Sequence, residues 1–157
     1  MKTEYIIEKD IINPLYEKTY KDIAFDLAKE LDNPIIMDRI ALILSGQSFG
    51  FSPITLKSIH KELFNDVYTF AGNFKSDIVE KDIFELFNNE KNIDYSKIEK
   101  ASILRHIINF HYEILSLNPF IKCNTITINI FLLKYLQYYG FIITKELYNE
   151  CKLKKQD

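Results

Sequence analysis

The amino-acid sequence predicts an all-α fold, and three features support that prediction. Glycine and proline occur four times each among the 157 residues, so few positions interrupt a helix. Residues 55–70 carry apolar side chains at three- and four-residue spacing, which is the pattern of an amphipathic helix. Residues 125–139 are mostly apolar and form a longer segment than a typical strand. The mass of 18.6 kDa is that of one ordinary domain, and we expect residues 1–157 to form it.

Two helices are predicted before residue 50. Asn13-Pro14-Leu15 is typical of a turn, and a moderately amphipathic helix follows over residues 16–30. Pro34 is expected to end that stretch. A short apolar helix follows over residues 37–44 and stops near Gly46.

The clearest helix of the sequence is predicted over residues 55–70. Charged side chains lie off its apolar stripe, which consists of Leu56, Ile59, Leu63, Val67 and Phe70. Gly72 follows closely, where a helix C-cap is expected.

The middle of the chain is less regular. Residues 73–95 show no helical stripe, so a short strand or hairpin and a brief helix are predicted within residues 74–87. Ser96-Lys97-Ile98-Glu99 has the spacing of a capping box. It predicts a helix from there to about Leu117, before Pro119.

The last third of the chain allows two interpretations. The run Thr-Ile-Thr-Ile-Asn-Ile that begins at Thr125 alternates as a strand does. The apolar segment continues to Tyr139 and ends at Gly140, however, and this length favours a buried helix. We therefore predict a helix there, and a final short helix that begins at Thr144.

Composition and charge exclude several classes of protein. The net charge of −2 lacks the basic excess typical of nucleic-acid binders. No apolar run reaches the roughly 18 residues of a membrane span, and residues 1–10 are too charged for a secretory signal. Cys123 and Cys151 form no metal-binding or disulfide pattern. We expect a cytoplasmic protein without nucleic-acid or membrane partners, and the preference for lysine over arginine is typical of an AT-rich bacterial gene.

Few residues of the sequence indicate chemistry on their own. His60 is expected to be a packed or surface histidine, and His106 and His111 lie about 140° apart around a helix, so they share no site. Cys123 precedes a predicted helix start, where a thiolate is stabilised, and the alternative is a purely structural cysteine. The sequence contains no phosphate-binding glycine loop and no serine nucleophile motif.

Two segments of the chain resemble the Fic (Fido) domain family, whose members are mostly protein adenylyltransferases. Residues 56–75, LKSIHKELFNDVYTFAGNFK, are similar to the family segment IHxxLFxDVYxWAGxxR, with Phe70 at the aromatic position and Lys75 at the arginine position. Residues 117–126, LNPFIKCNTI, fall where the family carries HPFx(D/E)GN(G/K)R. Asn13-Pro14-Leu15 resembles a common start of the family domain, so the resemblance spans about residues 11–148.

The resemblance implies a helical domain with a small β-hairpin flap beside an active-site cleft. The cleft would be built from residues 118–126 and the helix after them. The flap would dock a target protein by β-augmentation, with a plain surface loop as the alternative, and it would include Ser76, Asp77, Ile78 and Val79. Self-association, an antitoxin partner, and ATP with Mg²⁺ are further implications of the resemblance.

The motif departs from the family at the positions that carry the chemistry. The family histidine takes a proton from the target hydroxyl, which attacks the α-phosphate of ATP, and Asn118 stands at that position. An amide is no general base near neutral pH. Lys122 stands where an acidic residue would hold Mg²⁺, so we expect no metal site and assign no cofactor.

The phosphate-binding positions of the motif are also altered. Cys123 and Thr125 stand where glycines would let the backbone approach phosphates, and Ile126 replaces the arginine that clamps them. Asn124 is the one polar residue that matches the motif. The nucleotide-binding positions implied by the resemblance are therefore Lys122, Cys123, Asn124, Thr125 and Ile126, in degenerate form.

Three interpretations of function follow. The favoured one is a degenerate Fic-family protein without adenylyltransferase activity that acts as a binding or regulatory module. The alternative is an active transferase that uses the same cleft with another nucleotide or phosphodiester donor. The third is a helical domain whose motif resemblance carries no function.

Overall fold

The structure is a computed structural model that describes residues 14–154, and the all-α prediction is confirmed within that range. Its described residues form seven α-helices and no β-strand. The helices are α1 (Pro14–Ala28), α2 (Pro34–Ser45), α3 (Pro53–Phe64), α4 (Asp77–Glu90), α5 (Lys100–Ser116), α6 (Asn124–Tyr138) and α7 (Lys145–Cys151). Two 3₁₀ turns occur at Lys29–Leu31 and Tyr95–Lys97. The predictions made for residues 1–13 lie outside the described range.

Helix α6 is the centre of the core. Nearly all of it is buried from Thr127 to Leu136, and α2, α3 and α5 pack around it. Helix α1 packs on α2, α7 packs on α1, and α4 lies between α3 and α5. Burial of this central helix accounts for its nearly continuous apolar sequence.

The polar residues of α6 explain why the strand-like alternation forms a helix. The Thr127 hydroxyl donates to the Cys123 carbonyl, and the Asn129 amide donates to the Thr125 carbonyl one turn back. The Asn129 side chain also binds the Leu153 backbone through both of its polar atoms, at 3.1 and 2.7 Å. These buried polar groups therefore have partners within the helix and at the C-terminal segment.

Two prolines begin helices. Pro34, expected to end the first helical stretch, is the first residue of α2, and the Asn33 side chain caps that helix. Pro53 begins α3 after the Ser52 cap in the same way. The first helical position tolerates proline because its missing N–H has no intrahelical partner.

The helix predicted over residues 55–70 is shorter than expected. It ends at Phe64, and residues 65–76 form a series of turns, here called the turn segment. Gly72 is therefore not the C-cap of α3. It has a φ of +82°, and its N–H donates to the Nδ1 atom of His60 over 2.9 Å.

The predicted β-hairpin flap is wrong. Ser76 caps α4 by accepting from the Val79 N–H, and the other three flap residues, Asp77, Ile78 and Val79, form the first turn of that helix. Val79, Ile83 and Phe87 are spaced four apart and face the core, and this stripe was missed in the sequence because charged residues surround it.

The predicted capping box is also wrong. Ser96 lies in the second 3₁₀ turn, and both its N–H and its hydroxyl donate to the Asp94 carboxylate. Helix α5 begins only at Lys100, after Glu99. Asp94 thus caps the 3₁₀ turn, and no side chain caps the start of α5.

Two side chains of α6 cap the C-terminus of α2. The Lys134 ammonium donates to the Gly46 carbonyl, and the Gln137 amide donates to the Leu44 carbonyl over 3.2 Å. A cation near the negative end of a helix is favourable. Lys134 is nevertheless almost fully buried, and burial lowers its pKa to about 8.

None of the helices within residues 14–154 combines the length and the apolar character that crossing a bilayer requires.

Candidate functional site

A cleft of about 700 Å³ opens at the N-terminus of α6. Its walls are formed by the end of α1, by Tyr68, by the end of α5, and by residues 117–123, here called the cleft loop. The structure places six sequence-predicted site residues on its lining, namely Asn118, Lys122, Cys123, Asn124, Thr125 and Ile126. The proposed flap residues, Ser76, Asp77, Ile78 and Val79, are not among the lining residues.

Asn124 closes the cleft loop with three hydrogen bonds. Its Oδ1 atom accepts from the Phe120 N–H over 2.7 Å, and its Nδ2 atom donates to the Phe120 carbonyl over 2.8 Å. Nδ2 also donates to the Oδ1 atom of Asn118 over 2.7 Å. The side chains of both asparagines are therefore engaged in holding the loop.

The cleft loop contains two residues in the left-handed region of backbone conformation. Asn118 has a φ of +50° and Cys123 has a φ of +64°. Asparagine tolerates this conformation, whereas a cysteine there is strained by about 1 kcal/mol or more. The resemblance expects a glycine at position 123, and the observed φ is one that glycine adopts without strain.

The start of α6 offers unpaired backbone donors to the cleft. No side chain caps this helix, and the first backbone N–H bonded to the preceding turn is that of Thr127. Among the described residues, the N–H groups of Asn124, Thr125 and Ile126 have no hydrogen-bond partner. Such a helix start carries partial positive charge and is a favourable place for an anion.

Lys122 and Tyr68 border the same part of the cleft. The Lys122 side chain is exposed, and its Nζ atom lies 5.8 Å from the centroid of the Tyr68 ring. The Tyr68 hydroxyl is 4.0 Å from the Sγ atom of Cys123, and burial raises the pKa of Tyr68. The cleft therefore combines one cation with neutral polar groups on this side.

The wall formed by the end of α1 and the turn after it carries two carboxylates, Asp26 and Glu30. Asp26 accepts from the Tyr148 hydroxyl over 2.6 Å and from the Lys152 ammonium over 3.0 Å. Burial works against its ionisation, but these bonds and a bond from Lys29 outweigh burial and lower the pKa of Asp26 to about 2. Glu30 is exposed on the same wall.

The lining does not fit a magnesium site. The Asp26 carboxylate is occupied by a tyrosine and two lysines, and the cleft loop presents the cation Lys122. Throughout residues 14–154, no group of three or more His, Cys, Asp or Glu side chains is arranged to hold a metal ion.

His60 lies behind the cleft loop and is fully buried. Its Nδ1 atom accepts from the Gly72 N–H, so its Nε2 atom carries the proton and donates to the Lys122 carbonyl over 3.0 Å. Its ring stacks on Phe120, with centroids 4.1 Å apart and planes 6° apart. Burial lowers the pKa of His60, so the ring is neutral at pH 7. The expectation of a packed histidine is confirmed.

The other two histidines share no site, as the sequence predicts. The Nε2 atom of His106 lies 2.8 Å from the Glu90 carboxylate, while the Nδ1 atom of His111 donates to the Ile107 carbonyl over 2.7 Å. Neither residue is on the cleft lining.

Sequence reasoning missed the other eight residues of the lining, among them Tyr68, Asp26 and Glu30. Tyr68 belongs to the segment that resembles the family, so its neighbourhood was indicated but its place on the lining was not. Asp26 and Glu30 lie about 90 residues before the cleft loop. Their contribution depends on how α1 packs against the core, for which the sequence contains no local signal.

Comparisons with known proteins identify no relative. No protein-family model matches the chain. No curated protein and no solved structure matches it either.

Proposed function

We propose that the chain is a degenerate Fic-type domain that does not transfer AMP and that acts as a binding module, with the cleft at the start of α6 as its ligand site. Three features of the cleft suit an anionic, phosphate-bearing ligand. The cleft supplies unpaired backbone N–H groups, the Lys122 ammonium, and a volume of about 700 Å³, which can hold a nucleotide.

The observation that carries the proposal is the hydrogen bond between Asn118 and Asn124. The resemblance expects a histidine base at position 118, and the asparagine there accepts a loop hydrogen bond. A missing general base alone lowers a rate by roughly 10²–10⁴-fold. With Lys122 at the acidic position and Ile126 at the arginine position, we expect no measurable AMP transfer.

The first test is transfer of label from α-labelled ATP. The purified chain is incubated with Mg²⁺ and a bacterial lysate, and labelled proteins are resolved on a gel. The proposal expects no labelled protein above the level of a heat-inactivated sample. AMP transfer by the chain would contradict it. A variant that combines Asn118→His, Lys122→Glu and Ile126→Arg shows whether the scaffold supports transfer once the motif is restored.

The second test is ligand binding. Lys122→Met removes the cation on the lining, and Lys81→Met removes an exposed lysine of α4 that is not on the lining. We expect Lys122→Met to weaken ATP binding by about threefold to tenfold, since the lost contact is an exposed charge. Lys81→Met should leave the affinity unchanged, and equal effects of both variants would place the ligand elsewhere.

The alternative is a transferase that uses the same cleft with another donor. The observation that favours this alternative is that the cleft is present, with Cys123 and Tyr68 on its lining, although the motif is degenerate. It predicts that a nucleotide or phosphodiester other than ATP is consumed by the purified chain. The alternative requires that Lys122→Met and Asn124→Ala reduce this turnover, and unchanged turnover in both variants would count against it.

A further inference from the structure

We infer that His60 is the positioning residue of the cleft: in its neutral form it holds the cleft loop in the ligand-binding conformation, and it releases the loop when it is protonated. This inference rests on the proposed function, because the property that it controls is ligand affinity at the start of α6. It assigns a role to a buried histidine that is not on the cleft lining itself.

The first argument is connectivity. His60 belongs to α3, its Nδ1 atom binds the turn segment at Gly72, and its Nε2 atom binds the cleft loop at Lys122. One imidazole therefore joins α3 and the turn segment that follows it to the cleft loop, which lies 62 residues further along the chain at Lys122. Lys122 is separated from the start of α6 by Cys123 alone, so displacement of its carbonyl also displaces the N–H groups of the first helical turn.

The second argument is that both ring nitrogens are used in opposite senses. Nδ1 is an acceptor and Nε2 is a donor, and only the neutral Nε2–H tautomer satisfies both bonds. Protonation would place an N–H at Nδ1, directly opposite the Gly72 N–H at 2.9 Å. The two donors cannot both remain, so the ring or the turn segment has to move.

The third argument is that burial of the ring outweighs the one contact that favours its charged form, the hydrogen bond to the Lys122 carbonyl. Three aromatic rings surround it, contributed by Phe64 of α3, Phe70 of the turn segment and Phe120 of the cleft loop. The acids on these elements are Glu62 and Asp66; Asp66 pairs with Arg39, and neither carboxylate forms a hydrogen bond with the imidazole. The other titratable side chains on these elements are Lys57, Lys61, Tyr68, Lys75, Lys122 and Cys123. Among the described residues no carboxylate contacts the imidazole. Burial accordingly lowers the pKa of His60, and the release occurs on the acid side of neutrality.

The test uses two matched variants, His60→Gln and His60→Asn. In the first, the side-chain amide of the introduced glutamine reaches the place of Nε2 and can still donate to the Lys122 carbonyl, but it cannot titrate. In the second, the side-chain oxygen of the introduced asparagine reaches the place of Nδ1 and can still accept from Gly72, but the bond to the cleft loop is lost. Both variants lose the stacked ring, so the comparison between them isolates the bond to the loop.

The readouts are ATP affinity by calorimetry and amide hydrogen exchange of residues 120–126 in the unliganded protein. We expect His60→Asn to bind ATP about tenfold more weakly than His60→Gln at about pH 7.5, and to exchange the loop amides faster. Between about pH 7.5 and about pH 5 the affinity of the wild type should fall further than that of His60→Gln. The protonation of ATP itself is common to both proteins and cancels in the ratio.

Two outcomes would overturn the inference. One is equal affinity and equal loop exchange in the two variants at similar melting temperatures. The other is an identical pH dependence of affinity in the wild type and in His60→Gln. If neither the wild type nor the variants bind ATP, the proposed function fails, and hydrogen exchange of the loop amides still tests the inference. The inference requires that these amides exchange faster in His60→Asn than in His60→Gln. It also requires that acid accelerates their exchange in the wild type but not in His60→Gln. Nitrogen NMR shifts of the His60 ring in the wild type provide a direct check, since a protonated Nδ1 atom at pH 7 would contradict the inference.

Discussion

The side-chain amide of Asn124 donates to the side-chain oxygen of Asn118 over 2.7 Å, at the start of α6, which is buried from Thr127 to Leu136. Asn124, the one polar residue that matches the motif, thus holds the side chain of Asn118, which stands where the resemblance expects a histidine base. In this arrangement both residues shape the loop, and neither is available as a proton acceptor for a target hydroxyl.

The first prediction concerns the closure of the cleft loop by Asn124. Asn124→Ala removes three hydrogen bonds and leaves the N–H and carbonyl of Phe120 without that partner, so it should lower the free energy of unfolding by about 2–3 kcal/mol. Asn124→Asp keeps the acceptor for the Phe120 N–H and should lose about half as much. Urea unfolding at neutral pH measures both. Wild-type stability in the alanine variant would show that the loop does not depend on this side chain.

The second prediction concerns Gly72. Its φ of +82° disfavours any other residue, and a Cβ atom there would lie 2.8 Å from the Cβ of Lys61. Gly72→Ala should therefore lower the free energy of unfolding by about 2 kcal/mol. Gly50 has no such conformation, and its nearest neighbour would be the Thr55 hydroxyl at 3.6 Å, so Gly50→Ala is the matched control and should change stability by about 0.5 kcal/mol or less. Equal losses would contradict the prediction.

The third prediction concerns stability in acid. His111 is fully buried, its Nε2 atom has no hydrogen-bond partner, and burial lowers its pKa to about 3. The stability that depends on a neutral His111 is fully present above its unfolded-state pKa of about 6.5. As the pH falls from there towards 3, the unfolded state binds a proton that the folded state does not, so the free energy of unfolding decreases by about 1.4 kcal/mol per pH unit. His111→Leu should reduce this slope, measured by urea unfolding between about pH 6.5 and about pH 5, before most carboxylates titrate, and the remainder comes from His60, whose pKa burial also lowers. An unchanged slope in the leucine variant would show that the buried ring is not the source.

The fourth prediction concerns stability on the alkaline side. Burial lowers the pKa of Lys134 to about 8, whereas its unfolded value is 10.5. The buried ammonium is therefore destabilising at neutral pH, and the wild type should gain about 1 kcal/mol between about pH 7.5 and about pH 9. Lys134→Met should lack this gain and be at least as stable as the wild type at pH 7. Above pH 9 the effect is opposed by Cys151, because burial raises the pKa of its thiol to about 12.

Most of the helical architecture could be predicted from local sequence. The helix that begins at Thr144 and the buried helix α6 were expected from a cap residue and from the length of an apolar segment, and both are observed. The flap was wrong for two reasons: the resemblance implied it, and the apolar stripe through Ile83 and Phe87 was missed among charged residues. That stripe and the Ser76 cap favour a helix locally.

The cleft could be predicted only in part. The segment from Asn118 to Ile126 is continuous in sequence, so a motif resemblance could indicate it. The wall formed by Asp26 and Glu30 and the bonds of His60 to Gly72 and Lys122 depend on packing between distant segments. No periodicity or spacing within one element encodes such contacts.

The measurement that tests the central claim most directly is calorimetric titration of the wild-type chain with ATP, in the presence and absence of Mg²⁺. If the cleft at the start of α6 is a ligand site without a metal ligand, ATP should bind with sub-millimolar affinity in both conditions, and Asn124→Ala should abolish that binding. Absence of binding at millimolar ATP, or binding that Asn124→Ala leaves unchanged, would contradict the assignment of the cleft as the functional site.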